Sequence, residues 1–373
     1  MAYIPKKLIT PKNVTDTLRN IFYPGSNKDI VSLDMVQEIR IAGKRISFSL
    51  VFQRSNDPNI GILVLLCEQV VKENLGEQME VEGNIAVKFL HNMERPVLPQ
   101  VKYIIAVASG KGGVGKSTVA VNLSVALANT GAKVGLIDAD IFGPSIPLMF
   151  GAESEQPIGE KVEGIELINP VEKYGVKFLS VGFFVENESA IIWRGPMASN
   201  ALKQLITEGN WGELDYLLID LPPGTSDIHL SLVQSVPVTG AVIVTTPQDV
   251  ALIDVIRGTS MFQSKSIDVP VLGLIENMSW FTPAELPDNK YYIFGKDGGK
   301  ALADKLGIKL LGQIPIVQSI REGGDNGVPV ATNPESLTGA TFAEIAKNVV
   351  QQIQIRNIEK APTEKVKINR KSG

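Results

Sequence analysis

Residues 110–117 read Gly110-Lys111-Gly112-Gly113-Val114-Gly115-Lys116-Ser117. An apolar run, Tyr103-Ile104-Ile105-Ala106-Val107-Ala108, leads into this segment, and an apolar-periodic stretch from Ser117 to Gly131 leads out of it. The spacing Gly110-x4-Gly115-Lys116-Ser117, set between a strand and a helix, is that of a phosphate-binding loop. Glycines there let successive backbone N–H groups converge on phosphate oxygens, and the helix N-terminus adds positive potential. Lys116 is expected at the β- and γ-phosphates and Ser117 at Mg²⁺, with Thr118 completing the nucleotide-binding set. The competing reading is a glycine-rich turn that binds nothing.

Outward from this loop the chain alternates short apolar runs with helical stretches. The runs are Tyr103–Ala108, Lys133–Ile137, Val176–Val181, Tyr216–Ile219, Ala241–Thr245, Val271–Ile275 and Lys309–Ile314. That alternation predicts an α/β fold, a doubly wound and mostly parallel sheet whose ligand lies beyond the carboxyl ends of the strands. Upstream, residues 14–22 are expected as a short helix, Ile30–Ile41 and Ile46–Phe52 as strands around a turn at 42–44, Asn56–Val71 as a helix and Met79–Phe89 as a strand. The expected division is a small α+β domain over 1–90, a linker over 91–102 with two prolines, a nucleotide domain over 103–357 and a disordered tail over 358–373.

Carboxylates stand where such a site needs them. Leu217-Leu218-Ile219-Asp220 is an apolar strand closing on an acid, and Pro222-Pro223-Gly224 turns the chain afterwards, so Asp220 is expected to hold Mg²⁺. Asp138 and Asp140 follow another strand two positions apart and share a face if the run stays extended. Each of these acids has an alternative as a cap of the following helix or turn. No guanine-reading Asn-Lys-x-Asp segment occurs. Asn277 lies just past a strand, and a carboxamide can pair with N6 and N7 of adenine, which favours ATP; a turn asparagine is the other reading. Thr245, Thr246 and Gln248 receive no assignment, and His229 reads as a helix-surface histidine.

Gly110–Thr118, with its second lysine, resembles the deviant Walker A loop of the family that holds MinD, ParA, arsenite-pump ATPases, nitrogenase iron protein and the Mrp-type iron–sulfur carriers. The resemblance implies that Lys111 reaches into the partner subunit's nucleotide, and hence an ATP-linked homodimer. It also implies that Lys111, Lys116 and Asp140 act in catalysis, with Asp140 directing the attacking water and Asp138 in the Mg²⁺ shell. The first 90 or so residues, including Lys28–Leu33, look like the MIP18-like domain of iron–sulfur assembly proteins, although Tyr23-Pro24-Gly25 stands where Asp-Pro-Glu is common. Together with residues 137–145 (IDADIFGPS), 193–197 (WRGPM), 220–225 (DLPPGT) and 276–279 (ENMS), the chain is similar to Mrp/ApbC-type cluster carriers. The function implied is Mg-dependent ATP hydrolysis in iron–sulfur cluster binding, transfer or assembly, with apoprotein clients or a scaffold as partners. The alternative is a spatial-organising ATPase of MinD/ParA type. One departure stands out: the family usually carries a Cys-x-x-Cys after the 276–279 segment, whereas residues 280–287 here read WFTPAELP. The usual ligands of a bound cluster are therefore absent. The chemistry of Arg194 in the 193–197 segment does not follow from the sequence.

Composition narrows the classes further. The net charge of −4 gives no general basic footprint for nucleic acid, and no apolar run reaches membrane-spanning length. The single cysteine, Cys67, excludes an intrachain disulfide and, falling in helical phase with Leu63, Val70 and Val71, reads as a core residue. A cytoplasmic protein that meets neither nucleic acid nor membrane is the expectation; the lysine-bearing end has too few large apolar residues to insert into a bilayer.

Overall fold

The computed structural model describes residues 9–24, 26, 28–52, 57, 59–89, 97–141, 143–162, 165–184, 195–225, 227–283, 285–286, 288–361, 363 and 365. The chain forms two compact units, Met1–Pro96 and Val97–Gly373.

In the first unit the order is α1 (Pro11–Leu18), β1 (Val36–Ala42), β2 (Arg45–Phe52), α2 (Ile60–Leu75) and β3 (Ile85–Phe89). β2 is central, antiparallel to β1 and parallel to β3. The helix at the start lies earlier than hydrophobic spacing suggests. Thr10 caps it reciprocally with Asn13, and Pro11 occupies a first-turn position where its missing N–H costs nothing. The first strand begins at Val36 instead of Ile30. Asp29 accepts the N–H groups of Val31 and Ser32 and the Ser32 hydroxyl, a local turn that competes with pairing. A turn in which the Asn84 N–H donates to the Val81 carbonyl likewise shortens the expected Met79–Phe89 strand to its second half. Leu63, Cys67 and Val71 of α2 are fully buried against Phe48, Leu50 and Phe52 of β2, which confirms the core reading of the cysteine.

The second unit runs β4 (Val101–Ser109), α3 (Lys116–Ala128), β5 (Val134–Asp138), α4 (Ile146–Met149), a separate hairpin β6 (Gly159–Val162) and β7 (Ile165–Ile168), then β8 (Val171–Lys173) and β9 (Val176–Ser180). It continues through α5 (Gly195–Glu208), β10 (Leu214–Asp220), α6 (Asp227–Ser235), β11 (Gly240–Thr245), α7 (Asp249–Phe262), β12 (Val271–Glu276), α8 (Gly298–Leu306), β13 (Leu310–Gln313), α9 (Gln318–Asp325) and α10 (Leu337–Glu359). Eight strands form one sheet in the order β13-β12-β11-β4-β10-β5-β9-β8, parallel throughout except for the edge strand β8. All seven anticipated runs are strands of this sheet; the hairpin and the edge strand had no strong sequence signal. β4 shows why the sheet is covered on both faces. Ile104, Ala106 and Ala108 enter one core while Ile105 and Val107 enter the other, the period-2 alternation of a strand with helices on either side.

Two boundaries differ from expectation. Val101 already pairs with Leu214, so the expected linker gives its last two residues to β4; residues 90–96 lie outside the described residues. α10 continues to Glu359, and the Arg356 guanidinium bonds the Ala361 carbonyl and the Thr363 hydroxyl, so the C-terminal segment is ordered past the expected start of the tail. Residues 366–373 lie outside the described residues.

Candidate nucleotide-binding site

The site forms where the central strands end. β10 pairs in parallel with β4 on one side and β5 on the other, which sets Asp220 beside Val107 and Asp138. The chain leaves β4, turns through residues 110–115 and enters α3. Gly115, the N-cap of α3, has φ 81°, a left-handed conformation open to glycine at little cost. Gly110 is required for a different reason: an added Cβ would come within 2.4 Å of the Asp254 carbonyl carbon in α7.

Lys116 and Ser117, the first residues of α3, turn onto Asp220. The Lys116 amine donates to Asp220 Oδ1 at 2.7 Å, and the Ser117 hydroxyl donates to Asp220 Oδ2 at 2.6 Å. Asp140 Oδ2 is 3.5 Å from the same amine. Lys116 and Asp220 are both buried, at 6% and 0% side-chain exposure, so this is a desolvated ion pair whose partners depend on each other. Burial raises the Asp220 carboxyl above its ordinary range, against the Lys116 charge that lowers it.

Asp138 has a different environment from the extended pair expected with Asp140. β5 ends at Asp138, and the chain then turns, so that Asp138 Oδ1 accepts the Asp140 N–H at 3.1 Å. Its Oδ2 accepts the Ser180 hydroxyl at 2.8 Å and the Ile146 N–H at 3.4 Å. Burial, and secondarily the neighbouring Asp220 charge, push the Asp138 carboxyl up to about 7. In this structure Asp138 organises the turn that presents Asp140. Ser180, at the end of β9, was not singled out in the sequence; its strand-end position was the available signal.

Two cavities adjoin the loop. One of about 210 Å³ is lined by Lys111, Gly112, Gly113, Lys116, Ser117 and Asp140. The other, about 470 Å³, is lined largely by apolar groups, among them Met278, Pro315, Ile316 and Val317. They share Gly115, Thr118 and Met149 as borders, so the two spaces adjoin at the head of α3. Asn277 is on the second cavity and is held to the loop, its amide donating to the Val114 carbonyl at 2.9 Å. The apolar wall after β13 was invisible in the sequence because nothing in a short Pro-Ile-Val run points to a ligand.

The structure gathers Gly112, Gly113, Gly115, Lys116, Ser117, Thr118, Asp140 and Lys111 around the first cavity, with Asp220 and Asp138 behind it and Asn277 to one side. Lys111 itself is exposed. Thr245 and Thr246 are buried at the end of β11 and line neither cavity. The surface reading of His229 is corrected: in α6 it is 1% exposed, with its ring centre 6.2 Å from that of Phe262 at the end of α7. Arg194 lies outside the described residues.

The chain is similar to known proteins over both units. A family model described as NUBPL iron-transfer P-loop NTPase matches residues 100–350, and one described as iron–sulfur cluster assembly protein matches residues 11–82. An iron–sulfur cluster carrier protein of Synechocystis is 44% identical over 351 residues, covering 93% of this chain and 99% of that protein. An iron–sulfur cluster carrier protein of Aquifex aeolicus is 50% identical over 263 residues, 70% of each chain. The iron–sulfur cluster transfer protein NUBPL of Dictyostelium discoideum is 48% identical over 259 residues, 69% of this chain and 78% of that one. Among solved structures, a nucleotide-binding protein of Archaeoglobus fulgidus in complex with ADP superposes with a TM-score of 0.56 at 35% identity, over 66% of this chain and 94% of that one. With a phosphate loop at the head of α3, acids at the adjoining strand ends and these matches across both units, the chain belongs to the NUBPL iron-transfer P-loop NTPase family.

Proposed function

We propose that the chain binds ATP with Mg²⁺ in the two joined cavities, hydrolyses it, and uses that cycle as a homodimer to move iron–sulfur clusters between a scaffold and apoprotein clients. The observation that carries this reading is the convergence of Lys116, Ser117 and Asp220 at the head of α3. Backbone N–H groups of the loop and the Lys116 amine hold the β- and γ-phosphates, the amine exchanging Asp220 for phosphate oxygen. The Ser117 hydroxyl and the Asp220 carboxylate, already joined at 2.6 Å, are hard oxygen donors of the kind Mg²⁺ takes, and Asp138 supports them from behind. Bound Mg²⁺ supplies charge neutralisation at the phosphate oxygens. Asp140, beside the Lys116 amine, orients the attacking water. Lys111, exposed on the loop, contacts the nucleotide of the second subunit. Asn277 and the apolar wall take the adenine.

The cluster is cargo. Residues 280–290 hold no cysteine, and the buried Cys67 thiol is pushed up to about 12 by burial. These residues do not fit a thiolate-bound cluster, so its ligation falls to the cysteines of the donor or the client. The spatial-organising alternative has less support, since relatives matching 93% and 70% of this chain carry the cluster-carrier name.

The test pairs ATP turnover with cluster transfer. Wild-type protein is expected to hydrolyse ATP only with Mg²⁺, and Lys116→Ala to lower turnover by about a hundredfold or more through loss of the phosphate-binding charge. Transfer from a loaded scaffold to an apo-acceptor, followed by visible absorbance, is expected to accelerate with wild-type protein and ATP. Wild-type turnover in Lys116→Ala overturns the site; a transfer rate unmoved by the protein overturns the carrier role.

A further inference from the structure

Part of the wall of the larger cavity comes from a segment well separated in sequence from the phosphate loop. Ile293 and Phe294 line it together with Asn277, Met278 and the residues after β13. The same segment starts at Trp280 and Phe281. There the Ile316 N–H donates to the Trp280 carbonyl at 2.7 Å, and Phe281 and Tyr291 exchange two backbone bonds of 2.8 Å. The Lys290 amine lies 4.0 Å from the centre of the Trp280 ring, a further tie across the base of this excursion. Beyond Phe294 the chain is seated on the turn after β11. Gly295 has φ 103°, and a Cβ on Gly298 would come within 2.3 Å of the Pro247 carbonyl oxygen. Phe294 is thus held from both sides, while Ile293, although it borders the cavity, is 61% exposed. An apolar side chain at a cavity edge is surface that a bound base would cover.

We infer that Ile293 and Phe294 are base-binding residues, and that through them a purine base in the larger cavity, as opposed to the phosphates in the smaller one, tightens the hydrogen-bonded base of the Phe281–Tyr291 excursion. This rests on the nucleotide reading given above. The coupling is short and physical. Phe294 is three residues from Tyr291, and Ile316, bonded to Trp280, lines the same cavity. Filling the cavity immobilises both walls at once, and the excursion is anchored to both.

Amide hydrogen exchange on the full chain separates base from phosphate, using Mg-ADP in one arm and magnesium tripolyphosphate in the other. Both ligands are expected to protect residues 110–118, and only ADP to slow exchange at Phe281 and at Tyr291–Gly295. Phe294→Ala is expected to raise the ADP Kd about tenfold or more, leave tripolyphosphate affinity unchanged and remove the ADP-dependent protection at Phe281 and Tyr291. Ile293→Ser, at a more exposed position, carries the same test if Phe294→Ala does not fold. The inference is overturned if ADP protects the loop while both variants bind it as tightly as wild type, or if tripolyphosphate alone protects Tyr291–Gly295. Absence of loop protection with either ligand would instead overturn the nucleotide reading, and the inference with it.

Discussion

Lys116 and Asp220 show how two charged groups from different elements make each other's burial possible. A lysine at 6% exposure needs a counter-charge, and a fully buried carboxylate needs a donor; each supplies the other at 2.7 Å. The arrangement ties the head of α3 to the end of β10. Cys67 is the opposite case, a group with reactive potential made inert by its surroundings. With its thiol pushed up to about 12 by burial, it stays protonated at pH 8. Native protein is therefore expected to resist alkylation at pH 8 and to react only in denaturant, as read by intact mass. Cys67→Ser should leave iron content after anaerobic reconstitution and desalting equal to wild type and near background. A stoichiometric cluster that survives chromatography and disappears in this variant would instead make Cys67 a ligand.

The elements around the site are placed by close backbone approach. α7 passes so near the phosphate loop that residue 110 has no room for a methyl group, since an added Cβ would come within 2.4 Å of the Asp254 backbone. Gly110→Ala is expected to destabilise the protein by roughly 1–3 kcal/mol, since backbone cannot move aside as a flexible side chain can. Urea unfolding of the second unit measures it, and the loss should be accompanied by weaker ATP binding as α7 displaces the loop. Unchanged midpoint and affinity would show that the approach is looser than 2.4 Å implies. At the same level α3 is tied to the C-terminal half of the chain. Asn122 accepts the Ala331 N–H at 3.0 Å and Asn129 donates to the Ala331 carbonyl at 2.7 Å, which fixes the axis along which the loop points.

Across the whole molecule, two features bear on assembly. Lys111 is exposed on the cavity that Lys116 also lines, while the Lys116 amine is bound to Asp220. Lys111→Ala is expected to reduce the ATP-dependent dimer population severalfold in sedimentation equilibrium while leaving monomer nucleotide affinity within about twofold, as for a contact made across an interface. Equal dimer populations in the two proteins would assign Lys111 to its own subunit. A homodimer also brings only two cysteines, both copies of the buried Cys67, against the four thiolates that clusters usually take. Among the described residues no helix is long and apolar enough to cross a membrane.

What the sequence determined by itself was whatever its neighbours in the chain decide. The phosphate loop, the seven anticipated strands and the closing acid of β10 depend on spacing, apolar runs and the glycines of a turn, all contained within a few residues. Where a local competitor existed it could override the pattern, as the Asp29 turn does to the expected start of β1. Tertiary structure alone decided the contacts between distant residues. Ser180 reaches Asp138 from 42 positions away, Asn277 reaches the Val114 carbonyl from 163, and Ala331 braces Asn122 from 209. It also buried His229, whose helix looks amphipathic in isolation, and placed Ile293 and Phe294 on the cavity that Asn277 borders. The physical reason is that such contacts are set by the order in which strands lie in the sheet, and strand order leaves no mark on the residues it brings together.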